Sequence, residues 1–359
     1  ITGFGGLALI AGLVLVGQAA GTYRLSELAG AADGLTGTAV SVGLVLVLIG
    51  AFTKSAQVPF GGWLPGAMVA PTPISTYLHA ATMVKAGVYL VARLSPVVAD
   101  LGIWRMTIIV VSSTTMITGG WRALRQHDLK LLLAYGTVSQ LGFMMLLFGA
   151  GSDKLAQAGI LVLIAHGAFK AALFMVVGIV DHQVGTRDVR LLTGFGRGWR
   201  PVIGVAVVAA ASMAGIPPAL GFIAKEKGLI GALDATFAGA SFMVGVLVVG
   251  SVLTVAYSGR YVLGLLGKLH QPGASPTDER DRIDCAAANP PGPLMAVPPV
   301  LLATFTLAAG IAPVIVDQLT KDATTALYPD GKPSDVVLWA GFNTALVLSI
   351  VIVALGVAL

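Results

Sequence analysis

Ile74-Ser-Thr-Tyr-Leu-His-Ala-Ala-Thr-Met-Val-Lys-Ala-Gly-Val-Tyr-Leu90 is apolar enough to sit in lipid, yet it carries Lys85 and no other charge before Arg93. The same conflict recurs on two other runs. Lys54 ends the apolar stretch that begins at Val40, and Lys170 lies within Ile160 to Val180 with no other charge. A charged side chain at mid-bilayer costs roughly 2.5–3.5 kcal/mol on insertion scales, so such residues face a polar interior and mark ion or proton paths. The three lysines therefore point to a polytopic bundle with a polar core.

Composition agrees. The chain has 359 residues, of which 56% are apolar and 11% charged, with a mean hydropathy of +0.88. Soluble domains carry about 25% charged residues. The net charge of +5 would suggest nucleic acid in a soluble protein; here the excess of basic residues in loops on one side of a membrane accounts for it, and no nucleic-acid partner is expected. Cys285 is the single cysteine, so no internal disulfide is expected. The chain starts inside an apolar run without Met and reads as a fragment of a longer protein, with no visible signal peptide.

A spanning helix needs about 20 apolar residues. The expected fold is all-α integral membrane, with about ten spans at 3–21, 38–57, 73–93, 104–122, 129–149, 156–180, 201–229, 237–263, 297–316 and 336–358. The loops sort into two sets. Those near 22–36, 93–104, 151–155, 231–236 and 317–335 carry six basic residues: Arg24, Arg93, Arg105, Lys154, Lys321 and Lys332. Those near 121–130, 181–200 and 259–296 carry eleven: Arg122, Arg125, Lys130, Arg187, Arg190, Arg197, Arg200, Arg260, Lys268, Arg280 and Arg282. The second set is predicted cytoplasmic. The polar segment 266–297, with its charge run Asp278 to Asp284, reads as a solvated cytoplasmic loop. The 319–335 stretch reads as a short external connection.

Two spans carry breakers. Pro59 follows Lys54, and Gly215-Ile-Pro-Pro-Ala-Leu-Gly221 interrupts 201–229 just before Lys225. Proline removes a backbone donor and clashes with the preceding turn. Paired broken helices are a pointer to transporter sites, although a proline can also simply kink a packed helix.

On the third span Ser75, His79, Thr82, Lys85 and Tyr89 fall within about 120° of one another at a helical repeat, which predicts one polar stripe. On the sixth, His166 and Lys170 are an i, i+4 pair, with Asp181 in nearby phase. Histidine exchanges protons near neutral pH, and a lysine stripped of water and set beside other cations releases its proton more readily. A row of these groups is a candidate proton wire. The alternative for a lone His, Tyr, Ser or Gln, including Tyr135, Ser139 and Gln140, is an interhelical hydrogen bond. Snorkelling could explain a lysine near a helix end, and a surface ion pair could explain Lys225 and Lys227 beside Glu226. No zinc, P-loop or Cys-x-x-Cys motif is present. Gly3-Phe-Gly-Gly6 and Gly194-Phe-Gly-Arg-Gly198 lack a strand–helix context and read as turn or packing glycines.

The runs Lys54-Ser-Ala-Gln-Val-Pro-Phe-Gly-Gly-Trp-Leu-Pro-Gly-Ala-Met68, Leu78 to Tyr89, Asp128 to Gly142 and His166-Gly-Ala-Phe-Lys-Ala-Ala-Leu-Phe174 resemble the antiporter-like proton-translocating subunits. These comprise membrane-arm subunits of respiratory complex I and large subunits of Mrp cation/proton antiporters. Val180 to Arg190 and Gly215 to Gly228 look most like the A-type large subunit of the Mrp group. The resemblance implies inverted five-helix repeats, each with a broken helix. It divides the chain into 1–57, the end of the first repeat with the start of its broken helix; 58–265, the core relay and second repeat; the 266–297 loop; and 298–359, the C-terminal spans. It implies monovalent cation/proton antiport, sodium being the leading candidate, by a secondary transporter rather than an enzyme. The complex would be multisubunit, in the cell membrane, and without a cofactor. Lys54 would be the switchable proton carrier, His79, Lys85, His166 and Lys170 a lateral relay, and Lys225 the gate to an exit. Two departures stand out. The family's acidic partner for the Lys54 position would have to precede Ile1, and a second histidine found in some members falls here on Val162. The rival reading is a proton-pumping component of complex I or a membrane-bound hydrogenase, and a third is a scaffold that no longer transports.

Overall fold

The computed structural model describes residues 1–269 and 283–359. Among them every extended regular element is a helix, and only isolated bridges, Asp128 with Asp188 and Leu192 with Ile283, occur outside helices. The charge run at 278–284 lies almost wholly outside the described residues.

The order is α1 (Thr2–Ala20), α2 (Gly37–Lys54), α3 (Thr72–Val98), α4 (Gly102–Leu124), α5 (Leu129–Gly149) and α6 (Asp153–Val184). Then follow α7 (Arg200–Ala214), α8 (Leu220–Leu233), α9 (Ala240–Leu265), α10 (Pro293–Ile311), α11 (Val314–Leu327) and α12 (Thr344–Ala358). Among the described residues, seven helices are long and apolar enough to cross a membrane: α1, α2, α3, α5, α6, α9 and α10. The expected helical bundle is thus present, with four refinements. The 104–122 span forms the 23-residue α4, which is not among these seven. The 201–229 span is two shorter helices, because Gly215 at φ 81 caps α7 and the Pro217-Pro218 pair stops it before α8 begins. The 336–358 span shortens to α12, because Asn343 caps its first turn by accepting from the Leu346 N–H. The supposed 319–335 connection begins inside α11, an amphipathic helix with Val314, Ile315 and Leu319 exposed and Thr320 and Thr324 buried.

The core is built around α5 and α6. Almost every residue of α5 is buried, so it is enclosed on all sides. Peripheral α1 and α12 bury few residues and leave Leu7, Ile10, Val347 and Ile350 exposed, as suits lipid. Close approach needs small residues: a Cβ on Gly12 would lie 2.5 Å from the Gly43 carbonyl oxygen, which fixes the α1–α2 contact.

The 32-residue α6 reaches about 48 Å at the α-helical rise and connects the two ends of the bundle. At one end the 121–130, 181–200 and 283–290 segments join: Leu129 N–H donates to Arg187 O, Val189 N–H to His127 O, and Trp199 Nε1 to Ala288 O. At the other, Arg105 donates to Ala150 O and pairs with Asp100, Lys154 pairs with Asp234, and Lys332 N–H donates to Asp153. The described parts of the loops with the larger basic count thus share one end.

Candidate functional site

The winding of α3 shapes the site. Residues Tyr77–Ala81 form a π turn, Thr82 sits at φ −126 and ψ −84, and Met83–Lys85 tighten to a 3-10 turn before regular helix resumes. Thr82 Oγ1 donates to Tyr77 O, five residues back. Turns of this kind often mark functional positions. The change of winding breaks the polar stripe expected at a constant 3.6-residue repeat. Ser75, His79 and Lys85 are buried, whereas Thr82 and Tyr89 are exposed.

Lys85, His166 and Lys170 come together as one buried row. Lys85 Nζ donates to Leu163 O at 3.2 Å on α6. His166 has no exposed surface, and neither ring nitrogen completes a hydrogen bond, although the Ala80 backbone of the π turn lies beside it. Both lysines lie within electrostatic reach of this ring, and Phe169 meets it edge-on with ring centroids 5.4 Å apart. Lys170, also fully buried, donates to Leu133 O at 3.1 Å on α5 and sits 5.8 Å from the centroid of the Tyr257 ring on α9. Gln140 Nε2 holds that ring in place, donating to Tyr257 Oη at 3.3 Å and Thr254 Oγ1 at 3.2 Å. Among the described residues, no carboxylate pairs with Lys85, Lys170 or Lys225. Each of the two row lysines thus has one carbonyl acceptor where water would offer several, and the unpartnered His166 ring lies within reach of both.

His79 faces a different way. It is buried against Trp63, with centroids 6.1 Å apart, and its Nδ1 is unpartnered. Its charged neighbour is Lys130. By sequence Lys130 counts as a loop charge, but Asp128 caps α5 by accepting from the Lys130 and Leu131 N–H groups, which puts Lys130 in the first helical turn. The side chain is buried and donates to Ala70 O. A readable signal exists: Leu133 and Thr137, three and seven residues on, share its face and are buried. Asp181, expected near His166 in phase, instead pairs with Arg187 at 3.5 Å in the charged end below Lys130, and Arg187 also pairs with Asp128 at 3.2 Å.

Lys54 is a correction. The expectation is burial, yet Lys54 is exposed and pairs with none of the described residues. Its neighbours explain why. Ala51 and Ser55 form the face of α2 that meets Gly87 of α3, and Ser55 Oγ donates to Val84 O at 2.7 Å; position 54 is turned about 100° from Ser55. At the second break, Lys225 is half-buried and donates to Ala214 O at 2.9 Å, a carbonyl freed by the end of α7. The interhelical alternative holds for Ser139, which donates to Met116 O at 2.8 Å, and for Gln140.

A lipid-suited helix bundle with two interrupted helices and a buried Lys–His–Lys row defines a polytopic membrane protein with a polar interior. The profile of the family described as NADH:quinone oxidoreductase/Mrp antiporter, TM, matches residues 1–254, and the chain belongs to that family. It is 38% identical over 382 residues to the A1 subunit of the Na(+)/H(+) antiporter from Staphylococcus haemolyticus, covering all of this chain and 46% of that protein. It is 37% identical over 364 residues to the probable A/B subunit of a K(+)/H(+) antiporter from Rhizobium meliloti, of which it covers 35%. A chain in the structure of the Mrp complex from Dietzia superposes with a TM-score of 0.87 at 37% identity, over 99% of this chain and 38% of that one. A chain of an archaeal membrane-bound sulfane sulfur reductase shares the fold, with a TM-score of 0.78 at 24% identity over 91% of this chain and 64% of its own. The chain thus spans less than half the length of these antiporter relatives.

Proposed function

We propose that this chain is part of an A-type large subunit that exchanges sodium or another monovalent cation for protons within a multisubunit Mrp-type complex of the cell membrane. The observation that carries this reading is the buried row Lys85–His166–Lys170. His166 would take a proton from one lysine's ammonium and release it to the other lysine in its neutral amine form. Lys130 and His79 form an approach to the row from the basic end, which by the positive-inside rule is cytoplasmic. Lys225 sits at the second break as the far gate. Lys54 would act as the switchable carrier on the open face of α2, where a further helical element carrying an acid would complete its pair. The identity to antiporter subunits supports exchange over redox-driven pumping, since the likeness to the reductase chain extends to fold alone.

The test is His166→Gln in the assembled complex, with cation-dependent proton flux read in membrane vesicles. Glutamine keeps a polar side chain but cannot carry a proton. Flux should fall at least about tenfold, the factor that about 1.4 kcal/mol on the barrier produces, while assembly is retained. Wild-type flux in His166→Gln would overturn the relay.

A further inference from the structure

The polar cluster at the end opposite the basic loops takes no part in the row. A cavity of 410 Å³ opens there between the start of α6, one face of α8 and the 334–340 segment. Glu226 of α8 lines it, with only 4% of its surface exposed. The Asn343 side chain lies beside the carboxyl, but Glu226 Oε1 is buried and has no partner. A buried carboxylate oxygen with nothing to accept from is costly and needs a proton or a cation.

The neighbouring residue is already a cation in an oxygen cage. Lys227 Nζ donates to Ser334 Oγ at 2.7 Å and, more loosely, to Ser334 O at 3.3 Å and Gln157 Oε1 at 3.4 Å. Gln157 Oε1, on the cavity lining, also accepts from the Ser334 N–H at 3.2 Å and the Ser334 hydroxyl at 3.4 Å. The other charges around the cavity are spoken for: Lys154 pairs with Asp234, and Lys321 with Asp317 and Asp335. Glu226, Asp234, Asp317 and Asp335 set against Lys154, Lys227 and Lys321 leave one negative charge. Calcium and magnesium need several free carboxylates or ordered waters, and no cluster of acidic, His and Cys residues able to hold a metal occurs among the described residues. A single excess charge with amide, hydroxyl and carbonyl oxygens suits a monovalent ion.

We propose that this vestibule binds a monovalent alkali cation on Glu226 Oε1 together with the Gln157 and Ser334 oxygens, in competition with the Lys227 ammonium. The role of the site rests on the exchange reading, but its binding does not. Displacing the ammonium would free a tethered cation one residue from Glu226 and two from Lys225, which links occupancy of the vestibule to the second break.

The test is equilibrium binding of radioactive sodium to the purified, assembled complex. Glu226→Gln should raise the half-saturating sodium concentration at least tenfold. Ser334→Ala, an exposed position that leaves folding intact, should raise it several-fold. Lys227→Met should lower it several-fold, a change opposite in sign to general damage. His166→Gln should leave binding unchanged while flux is lost; if wild type binds sodium but shows no exchange, the exchange reading fails and the site stands. Unchanged binding in Glu226→Gln, or weakened binding in Lys227→Met, overturns the site.

Discussion

Gly136→Ala isolates the contact that fixes Lys170. A Cβ at position 136 would lie 2.9 Å from Lys170 Nζ and 3.1 Å from Tyr257 Cε2. The tyrosine ring cannot retreat freely, because Gln140 holds its hydroxyl, so the ammonium must leave its place. Lys170 then loses a charged hydrogen bond to Leu133 O, worth about 1.5–3 kcal/mol, and a ring contact worth about 0.5–2 kcal/mol. Alanine recovers up to about 1 kcal/mol of helix propensity. The balance is a destabilisation of roughly 1–4 kcal/mol, opposite in sign to what propensity alone dictates. Gly245→Ala in α9 is the control: nothing lies within 4 Å of its Cβ, so only the propensity gain remains. Thermal unfolding of the purified complex should separate the two variants in opposite directions, and vesicle flux should fall in Gly136→Ala alone. If Gly136→Ala is as stable as Gly245→Ala and transports normally, Lys170 does not sit where the row needs it.

Lys54→Ala should abolish cation-dependent flux yet change stability by less than about 0.5 kcal/mol, since the side chain is exposed without a partner; full flux would remove it from the mechanism. Lys130→Met keeps the aliphatic stem but leaves Ala70 O without its donor, and should slow flux about tenfold while His166→Gln and Lys130→Met together are no slower than His166→Gln alone. At the basic end, burial and the Arg190 and Arg260 charges hold the His127 imidazole below its usual value, while Asp188 opposes them. Burial pushes the Asp188 carboxyl up, but hydrogen bonds and charge from Arg190 outweigh it and hold it below its usual value. Both folded values are depressed, so the stability these groups contribute is present above their usual values and lost as pH falls through the folded ones. The protection factors of the amides of residues 186–192, with the intrinsic pH dependence of exchange divided out, should therefore fall on acidification, first below the ordinary histidine value of 6.5 and again below the ordinary aspartate value of 3.8. Arg190→Ala should remove most of the second step, by less than about 1 kcal/mol at this partly exposed pair.

What is legible in the sequence follows from strong, single-valued physics. A lysine in an apolar run has few tolerable settings, which is why Lys85 and Lys170 point to a polar interior before any packing is known. Proline and glycine act on the backbone directly, so the α7–α8 break is readable at Gly215 to Pro218. Position along a helix is harder. The stripe through Thr82 and Tyr89 assumes one helical repeat, and the π and 3-10 turns of α3 are set by packing against α6 and the 60–70 segment, which no local propensity encodes. Lys54 shows the same limit in reverse: its apolar flanks announce a span, but which face of α2 meets α3 is decided by small residues at 51, 55 and 87.

Lys130 is the most informative of these departures. As one of eleven loop charges it supports the assignment of sides; in the first turn of α5 it joins the charged end to His79. Its two descriptions are compatible because a helix N-terminus at the membrane edge is both places at once. The cap at Asp128 holds the backbone at the surface, while the long side chain reaches inward to Ala70 O. In the proposed relay, a proton taken up on Asp128 or Asp181 would pass to Lys130 in its neutral form before it reaches His79. The π turn carrying His79 also carries Ala80, which lies against His166, so one short distortion of α3 touches both the approach and the row. That shared element, rather than the spacing of lysines along the chain, is what would make the charged end and the buried row answer to each other.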